Sequence, residues 1–114
     1  METTAYRNWE ITPAKVESAV QRIIEVGRPR KIILFGSYTR SDAHNCSDVD
    51  FLIVTRDEVE NPRQESIRIR RALRGISMPM DIIVIPETAW LELKDRPGLI
   101  YREALLMGRV VYES

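Results

Sequence analysis

The stretch Ser47-Asp48-Val49-Asp50 opens directly onto the apolar run Phe51-Leu52-Ile53-Val54. Aspartate is disfavoured in strands. At i and i+2, at the head of a strand, Asp48 and Asp50 point to the same face, with Cα atoms roughly 6–7 Å apart. Two carboxylates converging on one point repel, and one takes up a proton unless a cation neutralises the pair. Hard cations such as Mg²⁺ favour one or two carboxylates plus substrate phosphates. A third acid, Asp81, stands inside the run Met80-Asp81-Ile82-Ile83-Val84-Ile85. If that strand lies beside Val49–Val54, Asp81 sits about 5 Å across from the pair. Three carboxylates on neighbouring strands can hold two metals about 3.5–4 Å apart, the arrangement for in-line phosphoryl or nucleotidyl displacement. A lone Asp-x-Asp is commonly a solvated turn. Here both Asp-bearing strands are otherwise apolar, which the solvated reading does not explain.

Gly36-Ser37 follows another apolar run, Lys31-Ile32-Ile33-Leu34-Phe35. Backbone N–H groups at such a turn favour anions, and glycine permits close approach. A plain strand-ending turn reads the same way. Arg40 can meet a phosphate or pair with Asp42 on the surface.

These residues need elements to position them. Thr12-Pro13 is a cap followed by a first-turn proline, and Val16, Ala19, Val20, Ile23 and Ile24 form a helical stripe. This predicts an amphipathic helix over 13–26, with Gly27 as its C′ residue. Strands are expected at 31–35, 49–54 and 80–85, the last stopped by Pro86. The polar stretch 38–47 reads as a helical turn and loop. Asn61-Pro62 repeats the cap signal ahead of a basic helix over 62–74. A short helix over 87–93, a final helix over 99–107 closed by Gly108, and a short strand from Arg109 to Tyr112 complete the chain. The expected fold class is α/β (α+β): one domain over 1–114, a mixed sheet flanked by helices.

Composition narrows the function classes. The 114 residues are 44% hydrophobic and 30% charged, with 17 basic against 17 acidic side chains and a formal net charge of 0. That composition is globular, not disordered. No apolar run spans a membrane and no signal peptide is visible at the N-terminus. One cysteine, Cys46, and one histidine, His44, exclude a disulfide framework and a Cys- or His-rich metal site. The expected location is the reducing cytoplasm. A neutral chain lacks the basic excess of a nucleic-acid binder. The charges are nevertheless segregated. Residues 42–60 carry six acids against Arg56, and residues 63–74 carry five arginines against Glu65. That arginine helix is either a solvated face or an interface. The apolar end with Leu99, Ile100, Leu105 and Leu106 is either core or an interface.

Gly36-Ser37-Tyr38-Thr39-Arg40, a polar loop, and then Ser47-Asp48-Val49-Asp50-Phe51-Leu52-Ile53-Val54 resemble the signature of the DNA-polymerase-β-type nucleotidyltransferases. The Ser-Asp-x-Asp form and the short length resemble the minimal nucleotidyltransferases, or MNT proteins. The likeness spans about 13–113 and departs at Ser41, where many members have glycine. It implies a polymerase-β-like fold and transfer of a nucleoside monophosphate, most often AMP from ATP, with release of pyrophosphate. By this resemblance Asp48 and Asp50 bind two Mg²⁺ ions. Asp81 shares a metal and helps deprotonate the acceptor hydroxyl. Gly36 and Ser37, with Arg40 and Ser47, hold the nucleotide.

Larger relatives carry an acceptor-binding domain for which 114 residues leave no room. The acceptor or a partner subunit is therefore expected to complete the site. MNT proteins typically pair with helical HEPN toxins, which they neutralise by adding AMP to a tyrosine. The resemblance thus implies an adenylyltransferase antitoxin in a hetero-oligomer with a HEPN toxin. Two other readings stay open: an antitoxin that inhibits by binding alone, and a nucleotidyltransferase for a small molecule such as an aminoglycoside. His44, Cys46 and Tyr38 have no assigned role, and Trp9, Trp90 and Tyr101 read as core or interface rather than base-stacking residues.

Overall fold

The computed structural model describes residues 10–36 and 48–114. Its first helix, α1 (Pro13–Gly27), begins where the cap signal places it. The Thr12 side chain accepts a hydrogen bond from the Lys15 N–H at 3.2 Å. Val16, Ala19, Val20 and Ile23 are buried along one stripe. The other end differs from expectation. Gly27 is the last helical residue, and Arg28 takes the left-handed conformation at φ 45°. A Cβ on Gly27 would lie 3.3 Å from Oε2 of Glu65 and 3.5 Å from Cδ1 of Ile69. Glycine is used there for close approach of the second helix, and the turn falls one residue later.

Strands β1 (Lys31–Phe35) and β2 (Val49–Thr55) pair antiparallel. Helix α2 (Pro62–Ala72) then crosses over to β3 (Met80–Pro86), which pairs parallel to β2. A parallel neighbour needs such a crossover. The α2 cap is Asn61, whose Oδ1 accepts from the N–H groups of Arg63 at 3.1 Å and Gln64 at 3.2 Å. Helices α3 (Glu87–Leu93) and α4 (Ile100–Met107) follow. Strand β4 (Arg109–Glu113) returns antiparallel to β1. The mixed sheet has the order β3-β2-β1-β4.

Strand alternation divides the core in two. Ile32, Leu34, Val49, Phe51 and Ile53 face α1 and α2. Ile33, Phe35, Leu52 and Val54 face the other way, against Trp90 of α3 and Ala104 of α4. Both faces of the sheet are covered by helices, which is why β1 and β2 read as unbroken apolar runs. Trp90 is core, 3% exposed. The apolar C-terminal side chains are not. Leu99, Ile100, Leu105 and Leu106 are all exposed, Leu106 at 63%. Ala104 is the buried residue of α4 and Tyr101 packs partly beside it, so this short helix has little inward surface to give to leucine. The core reading of those residues is thereby corrected. Among the described residues no helix is long and apolar enough to cross a membrane.

Candidate active site

Asp50 is the second residue of β2 and stands between two neighbours. Across the antiparallel pairing its partner is Phe35, the last residue of β1. Across the parallel pairing its partner is Asp81. Leu52 and Val54 pack in the α3–α4 layer, so the alternation of the strand turns Asp50 to that face of the sheet. Asp48 precedes β2 by one residue.

Gly36 follows Phe35 and has φ +87°, a conformation that side chains rarely adopt. A Cβ built on Gly36 would also collide with the Asp50 carboxylate. The close approach expected of this glycine is therefore first of all an approach to Asp50. The β1 end and the β2 head are locked together at one point.

The carboxylate of Asp50 is raised from its ordinary 3.8 to about 6. Burial is the largest cause, followed by the negative charges of Asp48, Asp81 and Glu103. The repulsion expected of the Asp48–Asp50 pair is thus present, with two further acids adding to it. Glu103 lies on α4 and was not identified from sequence. An acid in the apolar helix Ile100–Met107 was the one available signal, and nothing local ties it to β2.

Asp81 is beside Asp50 at the backbone, yet its carboxylate is engaged elsewhere. Its Oδ1 lies 3.4 Å from Nη2 of Arg70 and accepts a bond from the Ile82 N–H at 3.1 Å. Arg70 also donates to the Ile82 carbonyl at 3.0 Å. The basic helix therefore supplies a cation to the edge of the site, a contact its sequence did not announce. Among the described residues no three acids, histidines or cysteines are gathered closely enough to hold a metal. Ser37, Arg40 and Ser47, assigned to the nucleotide, lie outside the described residues, as do Trp9, Tyr38, Ser41, His44 and Cys46. A cleft of about 380 Å³ lined by Lys15, Arg22 and Gly75 includes none of the carboxylates. Its cations are occupied by the carbonyls of Ser77, Ala72 and Arg74.

A glycine turn packed on a strand-borne Asp, with further acids acting on it, thus lies on a mixed four-stranded sheet. The family model "Polymerase beta, Nucleotidyltransferase" matches residues 18–114. The chain belongs to the polymerase β nucleotidyltransferase family. Two solved structures share its fold. One is a tyrosine-to-alanine mutant of the MntA–HpeT toxin–antitoxin pair, 16% identical, matched over 92% of this chain and 75% of that one at a TM-score of 0.53. The other is a Sulfolobus solfataricus protein provisionally described as a nucleotidyltransferase, 22% identical, matched over 90% of both chains at a TM-score of 0.53. A search of curated proteins finds no match.

Proposed function

We propose that this chain is the antitoxin of a HEPN/MNT toxin–antitoxin pair and transfers AMP from ATP to a hydroxyl, on a tyrosine, of its partner toxin in the cytoplasm. The observation that carries the catalytic part is the crowding at Asp50. Its carboxylate is partly buried among Asp48, Asp81 and Glu103 and is raised to about 6. A carboxylate raised by neighbouring negative charges is of the ligand type that a hard divalent cation favours. Asp48 and Asp50 would hold it, two Mg²⁺ ions being expected from the family. When bound, Mg²⁺ screens the phosphate charge and aligns the triphosphate. The toxin assignment draws support from the fold shared with the MntA–HpeT pair.

In the proposed reaction the acceptor oxygen attacks the α-phosphorus of ATP. A new P–O bond forms, the bond to the bridging oxygen breaks, and pyrophosphate leaves. The proton of the acceptor hydroxyl passes to a carboxylate, assigned to Asp81. To accept it, Asp81 has to turn from Arg70, a contact 3.4 Å long with both side chains about half exposed. Exposed pairs of this kind are worth about 0–1 kcal/mol, so the turn is cheap. Gly36 is assigned, with Ser37, Arg40 and Ser47, to the nucleotide.

One observation favours the second reading, inhibition by binding alone: the Asp81 carboxylate is paired with Arg70. Intact-mass measurement of the partner toxin after incubation with this chain, ATP and Mg²⁺ separates the two. The enzyme adds one or more AMP units, and Asp48→Asn and Asp50→Asn add none. A toxin neutralised equally by wild type and both variants, with its mass unchanged, contradicts catalysis and leaves binding.

A further inference from the structure

We propose, on the reading that a protein receives the AMP, that the cleft between α2 and the β3 edge, with the arginine face beside it, docks an acidic segment of the polypeptide that carries the acceptor hydroxyl. The cleft, about 190 Å³, has an apolar floor of Leu73, Met80 and Ile82 and a rim of Arg70 and Arg74. Strand β3 is the edge of the sheet on this side. Arg70 joins the cleft to the site. Its Nη2 lies 3.4 Å from Oδ1 of Asp81 and donates to the Ile82 carbonyl at 3.0 Å. Asp50 is the strand partner of Asp81, about 5 Å away at the backbone, and faces the other side of the sheet. A segment seated in the cleft has only the edge strand to round before its hydroxyl meets these carboxylates.

Helix α2 returns along the sheet between β2 and β3, and so brings its C-terminal end to Asp81. Its buried residues are Glu65 and Ile69. Arg63, Ile67, Arg70 and Arg71 share the opposite, exposed face, and Arg74 continues it in the turn beyond, over roughly 16 Å. Glu65, the one acid of this segment, is already bound by Arg68 at 2.9 Å. Among the described residues Arg63, Arg71 and Arg74 make no ion pair. Basic side chains near a helix C-terminus ordinarily complement the helix dipole. Here Arg22 of α1 already donates to the carbonyls of Ala72 at 3.2 Å and Arg74 at 2.7 Å, so the dipole leaves the exposed arginines unexplained.

Charge selects an anionic occupant, and the apolar surface selects a polypeptide over a nucleic acid. The arginine fork matches a carboxylate. Ile67, 45% exposed, lies within the arginine face, and the cleft floor beside it is apolar. A phosphate backbone has nothing to place on either. A chain of net charge 0 lacks the basic excess of a nucleic-acid binder. The acids at the heads of β2 and β3 also repel a uniform polyanion. A polypeptide can set carboxylates on the arginines and an apolar side chain in the cleft. A carboxylate that reaches Arg70 competes with Asp81 for it, and that half-exposed pair yields readily.

Fluorescence anisotropy of the full chain with two labelled probes, a random copolymer of glutamate and tyrosine and a polyuridylate RNA, tests the docking face at low salt. The double variant Arg71→Glu with Arg74→Glu leaves Arg70 and Asp81 in place. A control, Arg96→Glu with Arg109→Glu, changes the net charge equally at exposed positions away from the cleft. A thermal melt confirms that each is folded, and if the first double variant is not, the single variant Arg71→Glu decides. Wild type is expected to bind the copolymer more tightly than the RNA. The first variant is expected to lose on the order of tenfold or more in copolymer affinity, and the control less than about twofold. The partner toxin, titrated without ATP, is expected to show the same loss. No binding of the copolymer, an equal loss in the control, or tighter binding of the RNA overturns the proposal. So does a toxin that binds wild type and the first variant alike. The expected copolymer pattern with a toxin that binds neither upholds the acidic docking face and contradicts the toxin pairing.

Discussion

Gly36 meets two independent demands at one position. Its φ of +87° disfavours any side chain, and the space a Cβ would need is taken by the Asp50 carboxylate. Gly36→Ala is therefore expected to destabilise the fold by about 1–3 kcal/mol from backbone strain alone, with the collision added. A denaturant melt measures the loss. Asp50 carries a second prediction. Its folded value of about 6 lies above its ordinary 3.8, so the folded chain holds that proton more tightly than the unfolded one. The resulting stabilisation is fully present below pH 3.8 and is lost as pH rises through about 6. Asp50→Asn should thus melt higher than wild type at pH 7.5 in a chelator, with the gap closing toward pH 4. Mg²⁺ at pH 7.5 should raise the melting temperature of wild type and leave that of Asp50→Asn unchanged, since a ligand stabilises the state that binds it. Scanning fluorimetry across pH, with and without Mg²⁺, checks all three.

At the scale of elements, the helix starts rest on local capping. Asn61 satisfies two N–H groups of α2, and Asn61→Ala is expected to cost about 1 kcal/mol in a denaturant melt. Helix α3 is held differently. Its first turn is tied by Asp57, whose carboxylate accepts from the Thr88 N–H at 3.1 Å and the Thr88 hydroxyl at 2.5 Å. These bonds lower the Asp57 carboxyl below its ordinary range. That contribution is present above pH 3.8 and is lost as the pH falls through the lowered value. Asp57→Ala should weaken α3 at neutral pH, and the difference should vanish in strong acid, as read by near-UV circular dichroism. The contrast between these two caps shows what could be read in advance. Asn61-Pro62 is a local signal, as are the apolar runs at 31–35, 49–54 and 80–85, and every described element lies where such signals place it. The Asp57–Thr88 cap, the Arg70–Asp81 pair and the effect of Glu103 on Asp50 depend on tertiary contacts between distant segments. No periodicity encodes them. Gly27 was misread for the same reason, since the turn rule for glycine is local and the approach of Ile69 is not.

For the whole molecule, the neutral charge conceals a division of labour. The acids of β2 and β3 gather at one end of the sheet, and the arginines of α2 flank the Asp81 edge through Arg70. Among the described residues the exposed large apolar side chains fall mostly within 91–110, on and around α4. The membership of the polymerase β nucleotidyltransferase family and the crowding at Asp50 lead to one central claim: the carboxylates bind a divalent metal together with ATP. Isothermal titration of the chain with a non-hydrolysable ATP analogue tests it without any partner. The account predicts binding to wild type that requires Mg²⁺ and is lost in Asp50→Asn. Binding that proceeds unchanged in a chelator, or that survives intact in Asp50→Asn with Mg²⁺ present, would contradict it.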